Sequence, residues 1–310
     1  MPDNVVILGA CCAGLSAAIY AAREGFNPLV IAGPAYGGQL MLTTLVENYP
    51  GFPEGVHGPD LMLQMKKQAE KFGTRFVEEE VESVDFSTHP FRIKTTSNSY
   101  EALSVIIATG ASARMLGLPS ESKYIGGGLS TCATCDAAFY KNKDVVVVGG
   151  GDTAVGDADF LTRFAKSVTV IHRRNEFRAS KIMQEKLLKN VKVKVMWDSV
   201  IEEILGNNNK VNGVRVRNVK TNETQVVRTD GIFMGIGNVP NTKFLAGKLK
   251  LDERGYVIAK EEVFTDVEGV FVAGDVSDGV YMQAVTAASG GVKAALQMRG
   301  YLSRLGTATK

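Results

Sequence analysis

Two sulfurs stand two residues apart in Ser130-Thr131-Cys132-Ala133-Thr134-Cys135-Asp136, directly upstream of a valine-rich run and a glycine-rich turn. A Cys-x-x-Cys pair can close into a small disulfide. At a helix start the leading sulfur also gains from free N–H groups and the helix dipole, which favour its thiolate. Small Ala133 and flexible Thr134 keep access open, so the spacing points to thiol–disulfide chemistry. Two other readings stay open at this stage. Half of a zinc site would need two more ligands, whereas the remaining cysteines, Cys11 and Cys12, are adjacent and sit in a different motif. The pair could also be two buried, inert thiols.

The elements that must position this pair follow it in the chain. Asp144–Val148 reads as a buried strand, Gly149-Gly150-Gly151-Asp152-Thr153-Ala154 as a turn, and the residues up to Phe164 as a helix. That is the phosphate-binding fingerprint of a dinucleotide unit, with its three small positions filled by Gly149, Gly151 and Ala154. The next strand, Ser167–Ile171, ends in His172-Arg173-Arg174, with Arg178 four residues on. An NAD site would keep an acidic residue there for the ribose 2′-hydroxyl. Guanidinium groups suit a 2′-phosphate instead, and after a complete fingerprint they favour NADPH over a merely solvated surface.

A second unit of this kind opens the chain. Asn4–Leu8 is a continuous apolar run that stops at Gly9-Ala10-Cys11-Cys12-Ala13-Gly14, and a helical pattern follows from Leu15 to Arg23. The middle position of the fingerprint lets backbone approach a pyrophosphate, so the Cys11 side chain is expected to crowd or shift a ligand. The next strand, Pro28–Ile31, runs into Ala32-Gly33 with no acidic residue to hold a ribose. Tyr36-Gly37-Gly38-Gln39-Leu40 and Glu47-Asn48-Tyr49-Pro50-Gly51-Phe52-Pro53 read either as surface loop or as a wall around a flat ring system. A helix is expected from Pro59 to Phe72, short strands between Thr74 and Thr96, and a buried strand at Ser104–Ala108 ending in Thr109-Gly110. Gly110 is either a plain turn or a point of close backbone approach.

Strands at Val191–Met196, Val200–Leu205 and Val211–Val219 follow the second unit, and Gly231–Gly237 closes it much as the strand before Gly110 closes the first. Two copies of one layout, about 140 residues apart, imply two related domains. Beyond Gly255 the chain is expected to return to the first domain, with a strand at Gly269–Ala273, Gly274-Asp275 at its end and a helix from Met282 to Leu302. Asp275 either caps a turn or accepts a hydrogen bond from a ligand hydroxyl.

The 310 residues suffice for two cores, and the net charge of +2 is well mixed, with no basic stripe to suit nucleic acid. Four cysteines do not make a disulfide scaffold, and one Cys-x-x-Cys beside a βαβ pattern points to a reducing compartment. Val5–Ala22 is apolar, but it lacks a basic leading region and carries Gly9 and Gly14. It reads as a strand and helix rather than a signal peptide or membrane span. The expectation is a soluble, cytoplasmic protein.

In order along the chain, these motifs resemble the low-molecular-weight thioredoxin reductases: the Gly9–Gly14 fingerprint, Cys132-Ala133-Thr134-Cys135-Asp136, the Gly149–Ala154 turn, His172 to Arg178, and Gly274-Asp275. The resemblance covers nearly the whole chain. It implies an α/β fold of two Rossmann-like, three-layer ββα nucleotide-binding domains, with the NADPH domain inserted in the FAD domain. The expected division is 1–116 and 246–310 for FAD and 117–245 for NADPH and the disulfide, with hinges near Gly117 and Gly247. It further implies a homodimer acting on thioredoxin or a thioredoxin-like protein.

By the same resemblance FAD lies along Gly9, Ala10, Gly14, Gly38, Gln39, Asn48, Thr109, Gly110, Gly274 and Asp275, with Gln283 and Ala284 at the flavin ring. NADPH lies over Gly149, Gly151, Asp152, Thr153, Ala154 and His172, with Arg173, Arg174 and Arg178 at its 2′-phosphate. Electrons would pass from NADPH through FAD to a Cys132–Cys135 disulfide and on to thioredoxin, with Cys135 facing the flavin, Cys132 attacking the partner and Asp136 supplying a proton. Asp136 is alternatively a helix cap, and the two roles are compatible. No metal is implied. Two departures stand out: Cys11-Cys12 in the first fingerprint, expected to weaken or displace FAD, and Met282 where relatives often carry arginine. The alternatives are a flavin-dependent dithiol oxidase, a reductase fed by ferredoxin or deazaflavin, and a non-catalytic redox sensor switched by Cys11 and Cys12.

Overall fold

Val5, Val6, Ile7 and Leu8 are all fully buried, yet they face two different cores. Val5 and Ile7 pack with the helices, while Val6 and Leu8 pack with Val84, Phe91 and Ile93 on the opposite side. A strand apolar at every position is what a sheet covered on both faces requires. Val145 to Val148 repeat this alternation later in the chain. The computed structural model describes residues 2–33, 36–43 and 45–307. It divides into two units, Met1–Ser112 with Val239–Lys310, and Ala113–Asn238 inserted between them.

The first unit begins with β1 (Asp3–Leu8), α1 (Cys12–Arg23), β2 (Leu29–Ile31), a 3₁₀ turn at Gly38–Leu42, β3 (Leu45–Val46), β4 (Val56–His57) and α2 (Gly58–Lys71). It continues with β5 (Arg75–Val77), β6 (Val81–Asp85), β7 (Phe91–Thr95), β8 (Ser99–Ile107) and β9 (Ala111–Ala113). The second unit carries α3 (Glu121–Tyr124), β10 (Leu129–Ser130), α4 (Ala133–Asp136), β11 (Asp144–Val148), α5 (Asp152–Leu161), β12 (Ser167–Ile171) and α6 (Lys181–Leu188). It ends with β13 (Val193–Met196), β14 (Ser199–Asn207), β15 (Lys210–Asn218), β16 (Thr224–Arg228) and β17 (Gly231–Met234), and with β18 (Asn238–Pro240) the chain returns to the first unit. β19 (Val270–Val272) and α7 (Ala284–Arg304) complete the first unit.

In the first unit β5, β2, β1, β8 and β19 are parallel neighbours, and β7 and β6 extend the sheet antiparallel from the start of β8. In the second, β10, β17, β11, β12 and β13 are all parallel. The antiparallel sheet β14-β15-β16 covers one face through Ile201, Ile204, Val214 and Val216. α5 and α6 cover the other through Ala154, Val155, Ala158, Leu161 and Leu187. Each unit is thus a Rossmann-like three-layer assembly, and both put a glycine turn at the carboxyl end of a central parallel strand, β1 or β11, where such sheets bind ligands.

Several boundaries differ from the sequence reading for identifiable reasons. α1 starts at Cys12, not Leu15, because its first turn is built of small residues that carry no apolar period. One of them, Gly14, is required: a Cβ there would stand 1.9 Å from the Gly9 carbonyl oxygen. α7 starts at Ala284, since Met282 is left-handed (φ +48°) and Gln283 forms a capping box with Thr286. β13 starts at Val193, Val191 being fully exposed. β16 escapes sequence detection because it is an outer strand with almost no buried side chain. The segment around Gly117, expected as a hinge, is tied down inside the second unit. Buried Glu121 accepts the N–H groups of Leu116, Gly117 and Leu118 at 2.7, 2.8 and 2.9 Å.

Candidate active site

β10 delivers the chain to the two sulfurs. The Cys132 N–H donates to Ser130 Oγ at 3.1 Å, and the Ser130 hydroxyl donates to the Cys132 carbonyl at 3.3 Å, which turns the chain into α4. Cys132 is the N-cap of that helical turn, and its Sγ accepts the Cys135 N–H at 3.2 Å. The sulfurs are bonded at 2.05 Å with Cα atoms 5.3 Å apart. Both cysteines are half-buried and flanked by exposed Thr131 and Thr134. Thr134 Oγ1 lies 3.4 Å from Cys132 Sγ. An N–H aimed at the leading sulfur stabilises its thiolate once the bond opens, so Cys132 is set up to be the nucleophile. The inert-thiol and zinc readings both lapse: the sulfurs bind each other within reach of solvent, and no metal-ligating cluster exists among the described residues.

Asp136 is the last residue of α4. It makes no side-chain cap hydrogen bond to the 3₁₀ turn at Ala137–Tyr140, so the capping role held open for it is not adopted. Burial instead raises its carboxyl above the usual aspartate range, with a hydrogen bond from Ser130 pulling the other way. The Tyr140 phenol is pushed up to about 12, first by burial and then by Asp136 and Asp230. Asp136 is therefore a carboxyl that keeps its proton to higher pH than an exposed one, one residue from Cys135.

The dinucleotide turn of the second unit leads from β11 into α5, with Gly151 as N-cap and Ala154 fully buried. His172 stands behind this turn rather than on its open side. It is 5% exposed, and a Cβ on Gly150 would come within 2.3 Å of its ring. Its Nε2 lies 2.9 Å from the Glu176 carbonyl, an atom that can only accept, so Nε2 carries the proton. Burial lowers its pKa, and Arg174, Arg178 and Arg173 push the same way. The neutral ring thus buttresses the turn. The Arg178 N–H donates to the Gly150 carbonyl at 2.7 Å, which folds the arginine loop back over it. Arg173, Arg174 and Arg178 are all exposed, and no ion pair among the described residues engages them. Asp152, by contrast, is engaged: its Oδ1 accepts the Ser180 N–H at 2.9 Å. Thr153 is exposed beside it.

In the first unit, Gly9 leaves β1 with φ +107° and Gly14 lies in the first turn of α1. The Gly37 N–H donates to the Ala10 carbonyl at 3.1 Å, bringing Gly38 and the 3₁₀ turn beside the fingerprint. Gln39 Nε2 reaches the Ala111 carbonyl at 3.5 Å. Asn48 Nδ2 donates to Gln283 Oε1 at 3.1 Å, joining two residues 235 positions apart at the start of α7, where Ala284 is the first helical residue. Thr109 and Gly110 are bracketed by Asn241: Asn241 Nδ2 donates to the Thr109 carbonyl at 2.8 Å, Thr109 Oγ1 to the Asn241 carbonyl at 2.9 Å, and the Asn241 N–H to the Gly110 carbonyl at 3.0 Å. Sequence reasoning assigns no role to Asn241 or Glu121; neither lies in a recognisable spacing.

Asp275 follows β19 and Gly274. Its Oδ1 is buried without a hydrogen-bond partner, and its pKa is pushed up to about 6, by burial and then by Asp278. Native proteins rarely leave such an atom unsatisfied, so a donor is missing here that a ligand hydroxyl would supply. With the glycine turn, this orphan acceptor fits a flavin dinucleotide. Cys11 and Cys12 lie in the same place. Cys11 is the N-cap of α1 at φ −108°, an ordinary extended conformation, so its backbone needs no glycine. Its pKa is lowered, chiefly by a hydrogen bond from the Cys12 thiol, whereas that of buried Cys12 is raised by the same pairing.

A surface disulfide beside a dinucleotide turn, on one of two Rossmann-like units, defines a pyridine nucleotide–disulfide oxidoreductase. The family model described as pyridine nucleotide-disulphide oxidoreductase matches residues 3–291. Among individual proteins, the chain is 53% identical to thioredoxin reductase of Rickettsia bellii over 97% of its own length and 98% of the relative's. It is 48% identical to that of Coxiella burnetii over 98% of both. The solved structure of thioredoxin reductase from Streptococcus pyogenes matches with a TM-score of 0.92 at 40% identity, covering 97% of this chain and 98% of that one. The chain belongs to the thioredoxin reductases within the pyridine nucleotide-disulphide oxidoreductase family.

Proposed function

We propose that the chain is an NADPH-dependent thioredoxin-disulfide reductase, and that the Cys132–Cys135 bond, held half-buried at the start of α4, is where it meets its protein substrate. That bond, in a member of this family, carries the reading. FAD, when bound, supplies two-electron transfer between nicotinamide and disulfide. The first unit would hold it at the Gly9–Gly14 turn, with Gly38, Gln39, Asn48, Thr109, Gly110, Gly274, Gln283 and Ala284 around it and Asp275 accepting from a hydroxyl. In the second unit, the turn Gly149–Ala154 offers backbone N–H groups to the NADPH pyrophosphate. Arg173, Arg174 and Arg178 offer exposed guanidinium groups to its 2′-phosphate, and His172 holds the turn from behind.

Opening the disulfide consumes two electrons and leaves two sulfurs that need protons, and Asp136 is the carboxyl placed to hold one. The Cys132 thiolate, stabilised by the Cys135 N–H, then attacks a thioredoxin sulfur, forming a mixed disulfide. Cys135 attacks Cys132 in turn, releasing the dithiol and restoring the starting bond. The reading takes the active form to be a cytoplasmic homodimer, as the family implies; no helix among the described residues is long and apolar enough to cross a membrane. The test is NADPH-driven reduction of thioredoxin by the purified holoenzyme under nitrogen, with Cys135→Ser as control. Turnover in the parent and none in the variant is expected, and full turnover in the variant refutes the relay.

A further inference from the structure

The reading of the first unit as the flavin unit leaves Cys11 unexplained. It occupies the middle fingerprint position with an ordinary backbone, so the side chain alone sets it apart from glycine. That side chain faces Gly38. A Cβ on Gly38 would meet Cys11 Cβ at 3.7 Å and Sγ at 3.8 Å, and the Gly37–Ala10 hydrogen bond holds the two segments together. Cys11 stands at the N-terminus of the twelve-residue helix α1, where the helix dipole favours a thiolate, and its pKa is lowered. A Cβ on Gly274 would stand 2.9 Å from Ala13 Cβ, so the next residue, Asp275, whose Oδ1 is buried without a hydrogen-bond partner, comes in beside the same turn. The sulfur and the orphan acceptor therefore flank the same fingerprint turn.

We propose that Cys11 is a thiol lock on flavin loading: in the flavin-free chain its sulfur reacts with a hydroperoxide, and the oxidised side chain keeps the dinucleotide out of the turn. The thiolate attacks one peroxide oxygen. An S–O bond forms as the O–O bond breaks, sulfur gives up two electrons to the peroxide, and the leaving hydroxide or alkoxide takes up a proton. The product adds an oxygen, anionic when ionised, at a turn that must admit an anionic pyrophosphate. Bound FAD does the converse and covers the sulfur. Cys12 is buried and holds its proton, which leaves Cys11 as the reacting sulfur.

The test uses the full chain with Cys132→Ser and Cys135→Ser, so that Cys11 and Cys12 are its only thiols. The flavin-free protein is treated with one equivalent of hydrogen peroxide, analysed by peptide mass spectrometry and titrated with FAD by flavin fluorescence. The expected results are one added oxygen on Cys11 and FAD binding weaker by about tenfold or more, recovered with dithiothreitol. FAD-loaded protein should resist oxidation, and a further Cys11→Gly change should make FAD binding indifferent to peroxide. Unoxidised Cys11, unchanged FAD affinity once it is oxidised, or an equal loss in the Cys11→Gly protein would overturn the lock. Failure of untreated and Cys11→Gly proteins alike to take up FAD would overturn the flavin assignment of the first unit, and the lock with it.

Discussion

Asp275→Asn is expected to stabilise the flavin-free protein while weakening its grip on FAD. The carboxyl titrates at about 6 in the folded chain, because burial and Asp278 oppose its charge. An unhindered aspartate titrates near 3.9, so the ionised form costs the folded state up to ~3 kcal/mol at neutral pH. A folded pKa above the unfolded one means that this cost is full above pH 6. It shrinks as pH falls through 6 and is gone below the unfolded value. Asparagine carries no charge to desolvate, so the variant should gain ~1–3 kcal/mol at pH 7 and about half as much at pH 5. A ligand hydroxyl donating to the carboxylate relieves the same cost. Replacing that charge-assisted bond by a neutral one should weaken FAD about tenfold. Urea unfolding of flavin-free protein at both pH values, paired with FAD titration, measures the two effects. A variant no more stable than the parent at pH 7, with unchanged FAD affinity, would refute the reasoning.

Three further outcomes follow from the second unit. Replacing Arg173, Arg174 or Arg178 by alanine should raise KM for NADPH about fivefold each, an effect that shrinks with added salt because these groups are exposed, while KM for NADH stays put. Asp136→Asn should slow thioredoxin reduction roughly 100-fold. It should also flatten the decline in rate that the parent shows as pH rises through the elevated Asp136 pKa; an unaltered pH profile would remove Asp136 from proton transfer. Glu121→Ala strands three N–H groups around Gly117 and should cost about 2–3 kcal/mol in urea unfolding, without a change in KM for NADPH.

Much of this fold is legible because its signals are local. Val5–Leu8 and Val145–Val148 are unbroken apolar runs cut off by glycine, which is how a doubly covered strand entering a phosphate turn must read. The spacing of Cys132 and Cys135 is as plain, though only the fold shows the Cys132 N–H donating to the Ser130 hydroxyl and the Cys135 N–H donating to the leading sulfur. What resists reading is tertiary. Asn48 and Gln283 meet across 235 positions, and Asn241 brackets Thr109 and Gly110 from a distant loop. The first turn of α1 hides in small residues, and β16 in an exposed pattern without apolar period. His172 reads in the sequence as a ligand contact next to three arginines, and only the fold shows that its ring packs on Gly150 of the turn.

The most direct measurement counts the thiols that NADPH releases. Holoenzyme under nitrogen is mixed with one equivalent of NADPH or of NADH, quenched with a thiol-alkylating reagent and mapped by mass spectrometry. The account predicts that Cys132 and Cys135 become labelled together with NADPH and stay disulfide-bonded with NADH. It is contradicted if they stay bonded under NADPH while the same enzyme goes on reducing thioredoxin.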